Sequence, residues 1–342
     1  MINYSWLDKQ LHAITLSTKL VKEVTFDIAK LSLKKILDVQ LNRHVFIAGL
    51  ARSGSTILLQ TLYDSHQFGS LTYAQMPFIM APTFTLLNRQ NLDKRERAHG
   101  DGLLINNQSP EAFEDVFWQT FEPNVRDRIE LKQTDSFSKD LTNDFYAYIN
   151  LVLNRSDKYR YLSKNNNNIC RLNSLISIFP NAMVMIPFRD PLNHAYSLFK
   201  QHQRFSSIQK QNPFVLKYMN WLGHREFGLG HIPFVSGEMP LEYSDKNTLN
   251  YWLEQWLLVY QFLLDSIQLT DQIMWINYDT LCTDVSIWNG ICQRLNISVS
   301  SSFKHHALSI TESIDPMLVD RCQRVWMQCC DQSFESLNQH AN

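Results

Sequence analysis

The sequence is short of several features that would assign a protein to a class at once. Glycine is scarce, with ten residues in 342, and the 32 Lys and Arg residues nearly balance the 33 Asp and Glu residues, for a formal charge of −1. A chain without net positive charge has no overall field that would hold a polyanion. Nucleic acid is therefore not an expected partner.

The chain also lacks recognisable metal, secretion and membrane signals. Its six cysteines form no C-x-x-C pair and no zinc-type spacing to histidine, so we expect reduced thiols and no bound metal. Residues 1–20 mix charged and apolar side chains, unlike a signal peptide, and no apolar run approaches the roughly 20 residues that span a bilayer. We expect a cytoplasmic protein without a transmembrane segment; peripheral membrane association and oligomeric state stay open.

The composition and the apolar pattern that are present favour an α/β fold. Hydrophobic residues make up 44% and charged residues 19%, which excludes disorder and a coiled coil. Short apolar runs recur at residues 44–50, 159–163, 182–188 and 272–278, with helix-like segments between them. This alternation predicts a P-loop-type, mostly parallel sheet with helices on both faces, and ligand sites at the carboxyl ends of the strands.

We divide the chain into a helical N-terminal segment (1–40), a P-loop domain (41–300) and a C-terminal helical segment (301–342). Two polar or proline- and glycine-rich stretches, 88–115 and 205–247, are interpreted as insertions that shape a substrate cleft. Helical spacing in the N-terminal segment predicts these buried positions: Leu11, Ile14, Leu20, Val21, Val24, Ile28, Leu31 and Leu33.

Residues 49–56, GLARSGST, have the outline of a phosphate loop between a strand and a helix, with Ser55 where a nucleoside triphosphatase carries lysine. Such a loop directs free backbone N–H groups and the positive end of a helix dipole at an anion. The missing lysine makes ATP the less favoured ligand, whereas Arg52 could serve a donor with less terminal charge.

A second anion site is predicted where residues 187–191, PFRDP, end an apolar strand and begin a helix. Pro191 suits a first helical turn and Asp190 can cap it. Arg189 then lies at the carboxyl end of a strand, and Ser197 lies two turns into the helix.

These two motifs together resemble the donor-binding signatures of sulfotransferases that use 3′-phosphoadenosine 5′-phosphosulfate (PAPS), most of all the stand-alone bacterial members. The segment LSKNNNN resembles the family's lysine segment, with Lys164 at the matching position, and INYDTLCTD resembles its turn after a late strand. The resemblance covers residues 43–295 and implies sulfuryl transfer to an acceptor hydroxyl without a metal. It implies that the 5′-phosphosulfate is held by Arg52, Ser53, Gly54, Ser55 and Thr56, and the 3′-phosphate by Arg189 and Ser197.

The catalytic groups are less clear from the sequence. Arg52 and Lys164 could stabilise charge on the leaving phosphate, but where many family members carry an acidic residue after the second strand, this chain has Gln75. We favour His99 and Asp101 as general bases because they flank the flexible Gly100 in a predicted cleft insertion. The other candidates are Glu111, Glu114, His202, His224 and Glu226.

Two other functions stay open at this point. A P-loop kinase or other phosphotransferase would use the same loop but would need the missing lysine and a carboxylate for magnesium. A non-catalytic descendant that binds a nucleotide or a glycan would account for Gln75. The acceptor is not identified by the sequence, although the many aromatic residues favour a glycan or an amphipathic small molecule.

Overall fold

The computed structural model describes residues 5–33, 35–84, 93–122, 129–237, 240–300, 303–304 and 310–338. Within these ranges, five parallel strands form a central sheet in the order β2-β6-β1-β7-β9, and β3–β4 and β5–β8 form two small ladders. The strands are β1 (Val45–Ile47), β2 (Phe68–Gly69), β3 (Arg95–Glu96), β4 (Leu104–Ile105), β5 (Ile129–Glu130), β6 (Arg160–Lys164), β7 (Met183–Phe188), β8 (Phe234–Val235) and β9 (Ile273–Asn277). The predicted α/β fold is confirmed, because the four apolar runs became β1, β6, β7 and β9.

Helices cover both faces of the sheet. They are α1 (Trp6–Ser17), α2 (Lys19–Leu31), α3 (Ser55–Tyr63), α4 (Asp115–Phe121), α5 (Lys139–Ser156), α6 (Leu172–Ile178), α7 (Pro191–Gln211), α8 (Pro213–Trp221), α9 (Leu249–Ser266), α10 (Tyr278–Leu281), α11 (Val285–Leu295) and α12 (Pro316–Asn338). The predicted helix start at the second anion motif is confirmed, since Pro191 opens α7 and the Asp190 carboxylate accepts a hydrogen bond from the Asn193 N–H at 2.9 Å.

Alternate side chains of each buried strand enter two different apolar clusters. Val45 and Ile47 of β1 pack with α3 and α11, whereas Phe46 packs with α5 and α9 on the opposite face. Helix α9 is largely buried, with Trp252, Trp256 and Tyr260 almost fully covered. Both faces of β1 are therefore protected from water, and its carboxyl end is held in a fixed position.

The buried face predicted for the N-terminal helices was wrong. Five of the eight named positions are at least 46% exposed: Ile14, Leu20, Val24, Ile28 and Leu31. Helix α2 instead packs through Phe26, whose ring contacts Phe121 at 5.4 Å and Tyr148 at 6.2 Å between centroids. The spacing of apolar residues shows that a helix has an apolar stripe, but not which face packs against another element. In α2 the Phe26 ring determines the packed face.

Residues 205–247, which we interpret as a cleft insertion, start inside a helix. Helix α7 continues to Gln211, and α8 follows after one residue, Asn212, whose side chain accepts a hydrogen bond from the Phe214 N–H at 3.2 Å. This stretch therefore begins as regular helix. Of the other stretch, residues 88–92 lie outside the described residues, and residues 95–105 contain the β3–β4 hairpin.

Candidate active site

A cavity of about 610 Å³ opens at the carboxyl ends of β1, β6 and β7. Its lining includes Lys164 at the end of β6 and Arg189 directly after β7. The β3–β4 hairpin and α8 supply further walls, so both stretches that we interpreted as insertions contribute lining residues. Parallel strands place their ends at one edge, which gathers groups distant in sequence into a single crevice.

The loop after β1 has a backbone suited to anion binding. Arg52 and Gly54 adopt positive φ angles of 71° and 95°, and α3 begins at Ser55 without a side-chain cap on its first turn. A Cβ added to Gly54 would lie 2.2 Å from the Tyr278 ring, so glycine is required here on two grounds. The uncapped N–H groups and the helix dipole are available to a negatively charged ligand. The Ser53 hydroxyl is buried and has no hydrogen-bond partner among the described residues.

Arg52 takes part in a three-membered ion cluster at this loop. Its Nη1 lies 2.6 Å from Oδ2 of Asp101, which also receives Nη2 of Arg97 at 2.5 Å. Burial opposes ionisation of Asp101, yet the two guanidinium groups hold the pKa of its carboxyl far below the ordinary value. Arg97 also reaches the Thr56 hydroxyl at 3.4 Å. The cluster keeps one net positive charge beside the loop.

The second anion motif lies next to the first. Arg52 Nε donates to the Ser197 hydroxyl at 3.2 Å, and Arg189 Nη1 lies 3.5 Å from the Arg52 carbonyl. Strand pairing of β7 with β9 brings Arg189 beside Asp279, at 3.6 Å, and over the Tyr278 ring, at 5.5 Å from the centroid. Arg52 thus joins the phosphate loop to the Arg189 and Ser197 pair.

Lys164 and Glu111 face the same cavity in a nearly dry setting. Burial lowers the pKa of Lys164, and the charges of Glu111 and Glu226 oppose that shift. Burial would raise the pKa of the Glu111 carboxyl, but Lys164, Arg97 and His224 hold it below the ordinary value. The Glu111 carboxylate accepts hydrogen bonds from the Tyr73 hydroxyl at 2.8 Å and the Ala112 N–H at 2.9 Å. It is an oriented, ionised base at neutral pH.

His99 lies in the cavity wall between two phenylalanines. Its ring centroid is 5.0 Å from that of Phe205 and 5.7 Å from that of Phe227. Burial, followed by the charges of Arg97 and Arg52, lowers the pKa of His99 well below the ordinary value. The imidazole is therefore neutral at pH 7.

The remaining candidate bases divide between the cavity and the protein interior. His224 and Glu226 line the cavity, and the His224 ring is fixed by a 2.7 Å hydrogen bond to the Ala112 carbonyl. Glu114 is instead committed to Trp118 at 3.0 Å and to other interior groups. His202 accepts from the Gly228 N–H at 3.2 Å and packs on a tryptophan. The side chains of Glu114 and His202 are therefore engaged in structural contacts.

Gln75 caps a short turn instead of facing the reacting groups. Its side-chain oxygen accepts from the Thr72 hydroxyl at 2.8 Å and from the Thr72 N–H. The chain immediately before Glu111 pairs with this same turn, since Thr72 forms a bridge to Pro110 and the Glu111 N–H donates to the Leu71 carbonyl at 3.0 Å. A carboxylate from a different part of the sequence therefore stands beside the position where the acidic residue is missing.

Sequence reasoning missed three residues of the site: Arg97, Tyr73 and Tyr278. Arg97 and Asp101 are four residues apart with opposite charges, and that spacing was the available signal. Tyr73 carries no local signal, because it acts through Glu111. Tyr278 stands in the segment INYDTLCTD, but its packing on Gly54 could not be predicted from that segment. Among the residues that the structure describes, no group of His, Cys, Asp or Glu side chains is arranged to hold a metal ion.

An α/β sheet with an uncapped helix start and a second cationic motif at its carboxyl edge offers two neighbouring positions suited to anions. A family model described as the sulfotransferase family matches residues 44–225, which is more than half of the chain. The chain belongs to the sulfotransferase family, as the motifs predicted.

Solved structures that resemble this chain include three bacterial sulfotransferases. STF1 from Mycobacterium tuberculosis H37Rv is 14% identical, with a TM-score of 0.47 over 98% of this chain and 86% of that one. STF9 from Mycobacterium avium is 13% identical, with a TM-score of 0.47 over 99% and 85%. A sulfotransferase from Alicyclobacillus acidocaldarius is 13% identical, with a TM-score of 0.40 over 87% and 96%. No protein of curated function matches the chain significantly.

Proposed function

We propose that the protein transfers a sulfuryl group from PAPS to an acceptor hydroxyl. The proposal rests mainly on Arg52, which belongs to both anion motifs. Its Nε donates to Ser197 of the second motif, and it lies in the loop before α3, whose first turn has no side-chain cap. A donor with phosphate groups at both its 3′ and 5′ positions would use both cationic motifs at once. A nucleotide with a 5′-phosphate chain alone would use one of them.

The residues present fit such a donor. Arg189 Nε is buried and lies 3.6 Å from the Asp279 carboxylate, which is longer than a hydrogen bond. Within the described part of the chain, the buried Ser53 hydroxyl has no hydrogen-bond partner. A buried donor without a hydrogen bond is costly unless a ligand satisfies it. Ser55 stands where a kinase would need a lysine, and the family match removes the main support for the kinase alternative.

In the mechanism that we propose, Glu111 accepts the proton of the acceptor hydroxyl while its oxygen attacks sulfur. The S–O bond to the 5′-phosphate breaks, so that adenosine 3′,5′-bisphosphate leaves as the sulfate ester forms. Arg52, Lys164 and the loop N–H groups stabilise the charge that grows on the leaving phosphate. Glu111 replaces Asp101, one of the two residues that we favoured from the sequence, because a carboxylate held by two arginines is a poor proton acceptor. His99, a neutral imidazole in the same cavity, stays the second candidate.

Calorimetric titration of nucleotides tests the donor assignment. We expect adenosine 3′,5′-bisphosphate to bind more tightly than AMP or ATP with magnesium. Arg189→Ala should weaken bisphosphate binding by about 1.5–3 kcal/mol, because a charge-assisted hydrogen bond to the ligand is lost. Arg321→Ala, at an exposed ion pair with Glu242, is the matched control and should change nothing. Equal affinities for ATP and the bisphosphate would refute the donor assignment.

A further inference from the structure

The wall that α8 contributes to the cavity is chemically unlike the rest of the site. This wall consists of Phe214, Val215, Tyr218, Met219 and Leu222. The spacing of these residues, at relative positions 0, 1, 4, 5 and 8, places them on one face of the helix. Apart from the Tyr218 phenol, this face presents no ionisable side chain to the cavity. Lys217 lies between them in sequence but is exposed on another face.

The α8 wall is held in place from both ends. Asn212 caps α8, and the chain after it returns through His224, whose N–H donates to the Met219 carbonyl at 3.0 Å. Helix α1 packs on α8, with the His12 ring 5.6 Å from that of Tyr218. The Lys9 ammonium of α1, which also lines the cavity, lies 5.4 Å from the Phe214 ring at the edge of the wall. The wall is therefore a formed surface that a ligand can meet without rearrangement of the helix.

The ionised groups that surround Glu111 lie on elements other than α8. Glu111, Lys164 and His224 form one cluster, linked through the charges that shift the pKa of Glu111. A free sugar needs hydrogen-bond partners around its whole rim, since each buried hydroxyl without a partner loses its hydration. The α8 wall does not supply them. It suits an aliphatic or aromatic group, which gains free energy when apolar surface leaves water.

We infer that the acceptor is an amphipathic alcohol, with its hydroxyl at Glu111 and an apolar portion along the α8 wall. The inference rests on the proposed function for the identity of the reacting hydroxyl. The wall itself, by contrast, is a binding surface for an apolar group whether or not sulfuryl transfer occurs. This difference allows the two proposals to be tested separately.

Titration of two glucosides into the full chain tests the inference. Octyl β-glucoside and methyl β-glucoside share a head group and differ only in the alkyl chain, and both are used below the micelle concentration, with and without saturating adenosine 3′,5′-bisphosphate. We expect octyl β-glucoside to bind about tenfold more tightly or better, because each buried methylene contributes roughly a factor of four. Similar affinities for the two glucosides would overturn the inference.

Variants of α8 show where the alkyl chain binds. Val215→Asp should abolish the preference while bisphosphate affinity, which also reports that the variant is folded, is unchanged. Lys217→Glu makes a charge change on the same helix outside the wall and should keep the preference. If Val215→Asp does not fold, Val215→Thr, which keeps the side-chain shape, should reduce the preference several-fold. If a folded Val215 variant still prefers octyl β-glucoside, the alkyl group binds somewhere other than the α8 wall, and the inference is overturned. If adenosine 3′,5′-bisphosphate does not bind but octyl β-glucoside is still preferred, the donor assignment is refuted and the inference about the α8 wall stands.

Discussion

At the scale of single residues, neighbouring charges decide what each ionisable group of the site can do. Asp101 and Glu111 are both carboxylates beside Arg97, but Asp101 is bound by two guanidinium groups whereas Glu111 is held by neutral hydrogen-bond donors. The first is an anion that neutralises charge and orients Arg52. The second is ionised and faces Lys164 across the cavity, which is the arrangement that a general base requires.

Asp101→Asn should destabilise the fold by about 3 kcal/mol, because Arg52 and Arg97 are left as like charges in a mostly buried cluster. Since the folded-state pKa of Asp101 is depressed, its contribution is full at neutral pH and is lost as the pH falls below the ordinary value of about 3.9. Denaturant unfolding at several pH values measures both effects.

The matched control for Asp101 is Glu23→Gln. Glu23 pairs with Lys19 at 3.5 Å on an exposed face of α2, where an ion pair contributes about 0.5 kcal/mol or less. If Asp101→Asn were as mild as this control, the ion cluster would not hold Arg52 in place.

Lys164→Ala should lower the rate of transfer about hundredfold while donor affinity changes little. A cation that acts on charge formed during the reaction stabilises the transition state more than the bound substrate. Single-turnover rates and bisphosphate titration separate the two quantities. Lys210→Ala, at an exposed position of α7, is the control. Equal losses of rate and of donor affinity would make Lys164 a simple binding residue.

At the scale of elements, the strand-loop-helix unit from β1 to α3 carries the proposed donor site, and Gly54 combines a positive φ with a close approach to Tyr278. Gly54→Ala should lower the free energy of unfolding by about 2 kcal/mol or more, since the residue has φ of 95° and the added Cβ meets Tyr278. Bisphosphate affinity should fall with it. Thermal unfolding and titration measure the two losses.

Gly290→Ala provides the opposite case. Gly290 lies within α11, and an added Cβ there meets nothing within 4 Å. Alanine should stabilise the helix by about 0.5–1 kcal/mol without an effect on bisphosphate binding. If both alanine variants had the same effect, the steric account of the loop would be contradicted.

Elements whose pattern is local in sequence could be predicted, and those that depend on distant partners could not. The loop at Gly54 and the segment from Arg189 to the start of α7 at Pro191 follow strands that are continuous apolar runs in the sequence, so their position at the sheet edge could be predicted. The base that we propose could not be assigned from the sequence, because Glu111 reaches the site only through pairing with the turn that contains Gln75. The face of α2 that packs was missed because Phe26 contacts residues nearly a hundred positions away.

At the scale of the whole molecule, part of the sequence-based description stays a prediction. The division at residues 40 and 300 and the cytoplasmic location are not tested by the fold. Helix α1 packs on α8 and α2 on α5, so the N-terminal helices contact the rest of the chain. In the part of the chain that the structure describes, no helix combines the length and apolarity needed to cross a bilayer.

The fold should lose stability in mild acid because several histidines are buried in their neutral form. Burial lowers the pKa of His44 to about 4, and of His194 and His231 to about 3. The unfolded chain therefore binds more protons below the ordinary value of about 6.5, and stability falls as the pH drops from there. At pH 5 each histidine should cost about 2 kcal/mol relative to pH 7. Unfolding free energies that stay constant between pH 7 and 5 would contradict this burial.

Transfer of radiolabelled sulfur from PAPS to a panel of amphipathic alcohols tests the central claim most directly. The account predicts labelled sulfate ester with the unaltered protein, and a loss of about hundredfold or more in rate with Glu111→Gln at unchanged bisphosphate affinity. Removal of the base should also abolish the acidic limb of the pH profile of the unaltered protein. Full activity of Glu111→Gln would contradict the proposed mechanism, and bisphosphate binding without transfer to any alcohol of the panel would contradict the proposed activity.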